Sequence, residues 1–301
     1  MGRGGRIHPH RRLRLPPAGP PREPAGPDVL QRIAMEPRDP AGAIRNFLGG
    51  MLPLFVLAHF SHHLLMALTT PLSPMIRSDF ALDYTNIGLV ISAFNLAYGI
   101  GQLPGGWLAD RFGPRWMITL GIWGVALAGF LVGLSRSFAM MVFFLALMGF
   151  LGGGYHPAAP PMISSLVEPV RRGRALGLHM IGGGASFFLS PLIAMAIAAY
   201  WGWRASFICL ALPALAFGIY FHWLLRNREV RRSKEREPRS RPAEEGPAQR
   251  LFGPLIVVIF LSTFSAAVLF AVMSFIPLFL VDRIGYSKET AGTFFAVIYS
   301  A

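Results

Sequence analysis

The 301 residues are 53% hydrophobic and only 14% charged, with a mean hydropathy of +0.48. A soluble domain carries roughly 25% charged residues, so the chain falls in the membrane class before any motif is read. The net charge of +13 does not mark a nucleic-acid surface, because the basic residues lie in a tail and in alternate loops, and the single cysteine, Cys209, excludes an intrachain disulfide and a thiolate metal cluster.

Residues 1–45 are rich in Pro, Gly and Arg and show no apolar periodicity. Such a segment cannot bury enough apolar surface to order itself, and it reads as a disordered basic tail. It lacks the apolar core and cleavage site of a secretory signal. An over-extended start is expected, with Met35 or Met51 as the true first residue.

Apolar spans follow at 50–76, 84–109, 116–134, 138–167, 175–200, 204–225 and 254–281, with an eighth from Tyr286. The first seven reach the roughly 20 residues that a crossing helix needs. The eighth stops at Ala301, so the sequence reads as a C-terminally truncated fragment. The expected fold is an all-α polytopic membrane bundle: a six-helix half over 46–225, a mobile polar linker over 226–253, and the start of a second half over 254–301. Lys and Arg support that topology. The tail carries nine, the Asp110 turn two, the Arg171–Arg174 turn three and the linker nine, against five on the opposite side. The tail and linker are therefore expected in the cytoplasm. Phe60-Ser61 recurs as Phe264-Ser265, Leu65 as Leu269 and Gly88 as Gly292, at a constant offset of 204 residues, a weak sign of two related halves.

The densest motif is Gly101-Gln-Leu-Pro-Gly-Gly-Trp-Leu-Ala-Asp110-Arg111-Phe-Gly113-Pro-Arg115. A carboxylate ending span two can meet a helix N-terminus or an arginine in one conformation and lose it in another, which makes a gate; the alternative is an ordinary charged turn. Gly106, Asp110, Arg111, Gly113 and Arg115 stand in the register of the Gly-x-x-x-Asp-Arg-x-Gly-x-Arg loop, and the sequence resembles the major facilitator superfamily there. Arg171-Arg172-Gly173-Arg174-Ala175-Leu176-Gly177 is similar to that family's turn between helices four and five, with Arg172 and Arg174 as cytoplasmic anchors. Trp201-Gly202-Trp203-Arg204 resembles its approach to helix six. The resemblance implies a parent of about twelve helices, a monomer in the plasma (bacterial inner) membrane, with a substrate site between two rocking halves. It implies no enzyme and no cofactor, and no ATP-binding motif is visible.

No Asp or Glu lies in mid-span; histidines stand there instead. Ionisable groups inside a membrane are expensive and default to functional hypotheses. His59, His62, His63 and Met66 fall at i, i+3, i+4 and i+7, one helical face, and Gly153-Gly154-Tyr155-His156-Pro157 falls near mid-membrane in span four. His62, His63 and His156 are expected in a substrate or proton cavity, with His59 balanced between cavity and packing and with Asn95, Tyr98, Tyr155 and Ser186 as further lining. His179 and His222 are expected to pack. An imidazole can hold an anion or relay a proton, its ordinary pKa lying near neutrality. With no carboxylate or thiolate beside them, no metal site is expected. These histidines resemble the fosmidomycin-resistance branch of the family, which implies small, anionic substrates. Efflux of a drug-like compound and uptake of an organic anion stay open, as do a membrane sensor and a membrane-embedded enzyme using the histidines.

Overall fold

The computed structural model describes residues 50–235 and 252–300. The tail, most of the 226–253 linker and Ala301 lie outside the described residues. Among the described residues every regular element is helical: α1 Leu52–Leu64, α2 Ser73–Asp79, α3 Tyr84–Phe112, α4 Pro114–Gly133, α5 Phe138–Gly152, α6 Tyr155–Leu166, a 3₁₀ turn Pro169–Arg171, α7 Arg172–Glu235, α8 Phe252–Asp282 and α9 Lys288–Ser300. The helical bundle is thus an all-α, multi-pass membrane architecture. Segments long and apolar enough to cross run Tyr84–Phe112, Pro114–Gly133, Phe138–Leu166, Pro169–Asn227 and Leu255–Asp282. At 59 residues and about 1.5 Å of rise per residue, Pro169–Asn227 has the length for two crossings.

Local chemistry explains the boundaries. Asp83 caps α3 by accepting from the Asn86 backbone N–H at 2.7 Å, and Ser137 caps α5 through Met140. The α3–α4 joint is a single residue, Gly113, at φ 91° and ψ 147°. Pro114 then opens α4 at a position where its missing N–H costs nothing. The crossings expected at 175–200 and 204–225 join without a loop, because Gly202, at φ 80° and ψ 165°, turns the chain alone. Both glycines occupy backbone regions that a side chain rarely enters.

Two expected spans are not single helices. The span read over 50–76 breaks after Leu64 into turns before α2 resumes at Ser73, where Pro71 and Pro74 withdraw backbone donors. The span read over 138–167 is interrupted by a turn at Gly153 and Gly154 between α5 and α6, although both glycines keep right-handed backbone angles. In addition, α7 continues to Glu235, into the segment read as linker.

Apolar burial is a weak driving force where the solvent is lipid, so close packing has to hold the bundle. The α3 and α5–α6 backbones touch. A Cβ on Gly105 would lie 2.6 Å from Gly154 Cα, and one on Gly153 would lie 2.5 Å from the Gly101 carbonyl carbon. One core gathers Leu68, Leu72, Ile76, Phe94, Met141 and Phe207. A second gathers Phe55, Ile118, Ile122, Tyr155, Ile163 and Phe221. Between them stands the histidine face of α1.

Polar clasps tie one end of the bundle. Arg204 bridges Asp79 at 2.6 Å and the Ser135 carbonyl at 3.0 Å, with its guanidinium 4.4 Å from the Trp203 ring centroid. Arg77, which stacks on Tyr84 at 4.4 Å, pairs with Asp282 at the end of α8, and Tyr84 bonds the same carboxylate. Most of the large apolar side chains from Leu255 to Phe279 are not covered by the described residues.

Candidate functional site

The α1 face carries its histidines against α4, α6 and α7. The His59 ring stacks on His179 with centroids 4.2 Å apart, and its Nδ1 lies 2.9 Å from the His179 carbonyl. A carbonyl only accepts, so Nδ1 carries the proton and Nε2 holds a lone pair. Gly183 makes room for the ring: a Cβ there would lie 2.6 Å from His59 Cε1. His62 is set in the same way. Its Nδ1–H donates to the Gly121 carbonyl at 2.9 Å, its Nε2 faces the Tyr98 hydroxyl at 3.3 Å, and its ring stacks on Tyr155 at 4.2 Å. His179 Nδ1–H donates to the Phe55 carbonyl at 3.0 Å. His63 and His156 meet through their Nε2 atoms at 3.2 Å. His156 stands at the second position of α6, directly after the Gly153–Gly154 turn.

His63 also lines a cavity of about 130 Å³ with Asn95, Tyr98, Phe187, Ser274 and Tyr299. The residues of α8 and α9 close its far side. Among the described residues, no Lys, Arg, Asp or Glu stands in its wall. The volume lies below the roughly 300–1,000 Å³ of drug-sized sites, so it suits a small solute or a closed state.

Of the residues expected in the cavity, His63, Asn95 and Tyr98 reach its wall, while His59, His62, His156 and Tyr155 form a cluster beside it. The Asn95 amide N–H turns back to the Ile91 carbonyl at 3.2 Å. Ser186 is buried and donates to Gly183 within α7 at 2.7 Å, so it is not part of the wall. His179, expected only to pack, belongs to the cluster. His222 stays apart, against Thr119, Trp116 and Trp123. Sequence reasoning missed Phe187, Ser274 and Tyr299, which are ordinary span residues until the fold turns them together.

The gating motif lies at the α3–α4 joint. Gly106 faces α6, where a Cβ would sit 3.7 Å from Pro157 Cβ. Asp110 and Arg111 are exposed, and Arg111 leans over Trp107 at 5.6 Å. Arg115 leans over Trp116 at 5.2 Å. Arg172 donates to the Ser164 carbonyl at 3.0 Å and so ties α7 to α6, while Arg174 is exposed. Among the described residues no ion pair joins Asp110 to Arg172 or Arg174.

A family model described as Major Facilitator Superfamily matches residues 55–301. A probable L-galactonate transporter of Escherichia coli K12 is 34% identical over 51% of this chain and 34% of its own length. The fosmidomycin resistance protein of the same strain is 24% identical over 80% of this chain and 59% of its own. The chain thus spans from a third to three fifths of the length of these relatives. Among solved structures, a bacterial homologue of the human lysosomal transporter Spinster, inward-facing and occupied, matches with a TM-score of 0.69 and 20% identity, over 83% of this chain and 58% of that one.

Proposed function

The chain belongs to the major facilitator superfamily, and from that membership we propose that it provides the solute-binding face of a secondary transporter for a small organic anion, coupled to protons. Residues 46–225 act as one half, 226–253 as a cytoplasmic linker, and 254–301 contribute helices of the other half. The single observation that carries the reading is the cavity between α1, α3 and α7 on one side and α8 and α9 on the other, with His63 in its wall and the imidazoles of His59, His62 and His156 next to it. A cavity walled by both halves is exposed to opposite sides in turn when the halves rock. The similarity to a galactonate transporter supports an organic acid. The imidazoles of His59 and His179 each leave a buried Nε2 without a partner, and such a neutral ring is a proton acceptor, which supports proton coupling.

In this reading the Arg77–Asp282 pair closes the non-cytoplasmic side, and the Asp110 turn latches the cytoplasmic side in the opposite state. Efflux of a drug-like compound is the second reading. It is favoured by the similarity to the fosmidomycin resistance protein over most of the chain.

The test is flux in sealed vesicles carrying the protein. Uptake of sugar acids, other carboxylates, phosphonates and neutral sugars is recorded with and without a pH gradient, for wild type, His63→Gln, His156→Gln and Asp110→Asn. A pH-driven flux of carboxylates is expected, with binding lost in the histidine variants and turnover alone slowed by Asp110→Asn. Selective phosphonate export establishes the second reading. Transport by all three variants at the wild-type rate overturns the assignment of the site.

A further inference from the structure

We propose that His59, His63 and His156 form a binding site for a divalent transition metal of the zinc class, placed against the cavity wall. One ligand nitrogen from each lies within 4.8 Å of the other two. His63 Nε2 and His156 Nε2 stand 3.2 Å apart. Two imidazole nitrogens bound tetrahedrally at about 2.0–2.1 Å would stand about 3.3 Å apart. These two are therefore already at a chelating separation, and a His59 nitrogen within 4.8 Å of both is the third donor.

The protonation pattern fits ligation. His59 Nδ1–H is spent on the His179 carbonyl, which leaves a buried Nε2 lone pair that has no partner. A metal-bound histidine is held in this way, with its other ring nitrogen fixed by a backbone carbonyl. His63 has a second buried nitrogen without a partner, Nδ1, so its ring can shift its proton there and free Nε2 for a metal. His62 is excluded, because the Gly121 carbonyl and the Tyr98 hydroxyl take both of its nitrogens. His179 is a positioning residue: it stacks on His59 and supplies the carbonyl that sets the tautomer.

The donor set selects the metal. Three imidazoles without carboxylates suit zinc, copper, nickel or iron and reject magnesium and calcium. Neutral ligands leave the ion its full charge. Because His63 belongs both to the triad and to the cavity wall, that charge stands beside a wall with no Lys or Arg. There it can attract an acid group. The binding measurement below does not depend on what the cavity carries.

The purified full-length protein, with His8 and His10 of the tail replaced by Ala, is stripped of metal and titrated with Co²⁺ and then Zn²⁺. One equivalent of Co²⁺ with the intense visible absorption of a low-coordinate site is expected, displaced by one equivalent of Zn²⁺. His63→Gln and His156→Gln should weaken binding at least about tenfold, the scale on which loss of a metal-site group is felt. His222→Gln should leave it unchanged. If the variants fail to fold, the wild type still decides: Zn²⁺ should raise its melting temperature. Substoichiometric Co²⁺, a pale octahedral spectrum, equal loss in His222→Gln, or no thermal response of the wild type each overturns the site.

Discussion

The histidine cluster shows how far single residues can be read. The i, i+3, i+4 spacing by itself puts His59, His62 and His63 on one face, since helical period alone decides that. The spacing does not show that His179, 120 residues away from His59, stacks on that ring, because only packing of α7 on α1 brings them together. Nor does it show which nitrogen holds the proton, since three backbone carbonyls decide that. One expected outcome follows from the hydroxyl at Tyr98. Tyr98→Phe keeps the ring on Phe94 but leaves the buried His62 Nε2 without a donor. It should cost about 1 kcal/mol, read as a lower melting temperature in detergent. A second follows from two neighbouring glycines. Gly105→Ala drives a methyl into the Gly154 backbone and should destabilise by about 1–3 kcal/mol. Gly106→Ala meets Pro157 at an ordinary 3.7 Å and should be close to neutral, although Gly106 is the motif glycine. Equal melting temperatures for the two would disprove that packing account.

At the scale of elements, hydropathy located the crossings but not their interruptions. It averages over a window and is blind to backbone hydrogen bonds, so α1 and the α5–α6 pair read as continuous. The local cues were present: Pro71 and Pro74 at the first break, and Gly152 to Gly154 at the second. The joint at Gly202 was legible as a flanked glycine, but its isolation was not, since nothing in Trp201-Gly202-Trp203 says that a single residue makes the whole turn. Gly202→Ala should therefore be costly for conformational reasons alone, because no atom lies within 4 Å of the added methyl. A loss of about 1–3 kcal/mol is expected, seen as reduced monodisperse yield on size-exclusion chromatography. The same substitution at Gly184, which also has open space but no positive φ, should express normally. If Gly202→Ala also does so, the strain argument fails.

At the scale of the whole molecule, the family and the membrane class were legible from composition and the Asp110 motif. The tie between Arg77 and Asp282 was not, since 205 residues separate the partners and each looks like a loop charge. Their role is testable in a Cys209→Ala background carrying Ser274→Cys in the cavity wall. Arg77→Glu and Asp282→Arg should each increase labelling of that cysteine by a membrane-impermeant maleimide from the non-cytoplasmic side, and the double exchange should restore protection. Unchanged labelling in both single variants would make the pair a surface contact, and such contacts are worth little.

The early end of α1 has an electrical consequence. Its 13 residues span about 20 Å, short of the roughly 30 Å of hydrocarbon, and His62 and His63 occupy its last turn. The aligned peptide dipoles of α1 end beside the cluster and bring partial negative charge there, reduced where the Ala67 N–H meets the His63 carbonyl at 3.0 Å. A lone anion approaching α1 meets an opposing field, whereas an anion accompanied by a proton or a metal ion does not. On the transport proposal, a pairing of charges would then be favoured by the backbone, before any side chain is chosen.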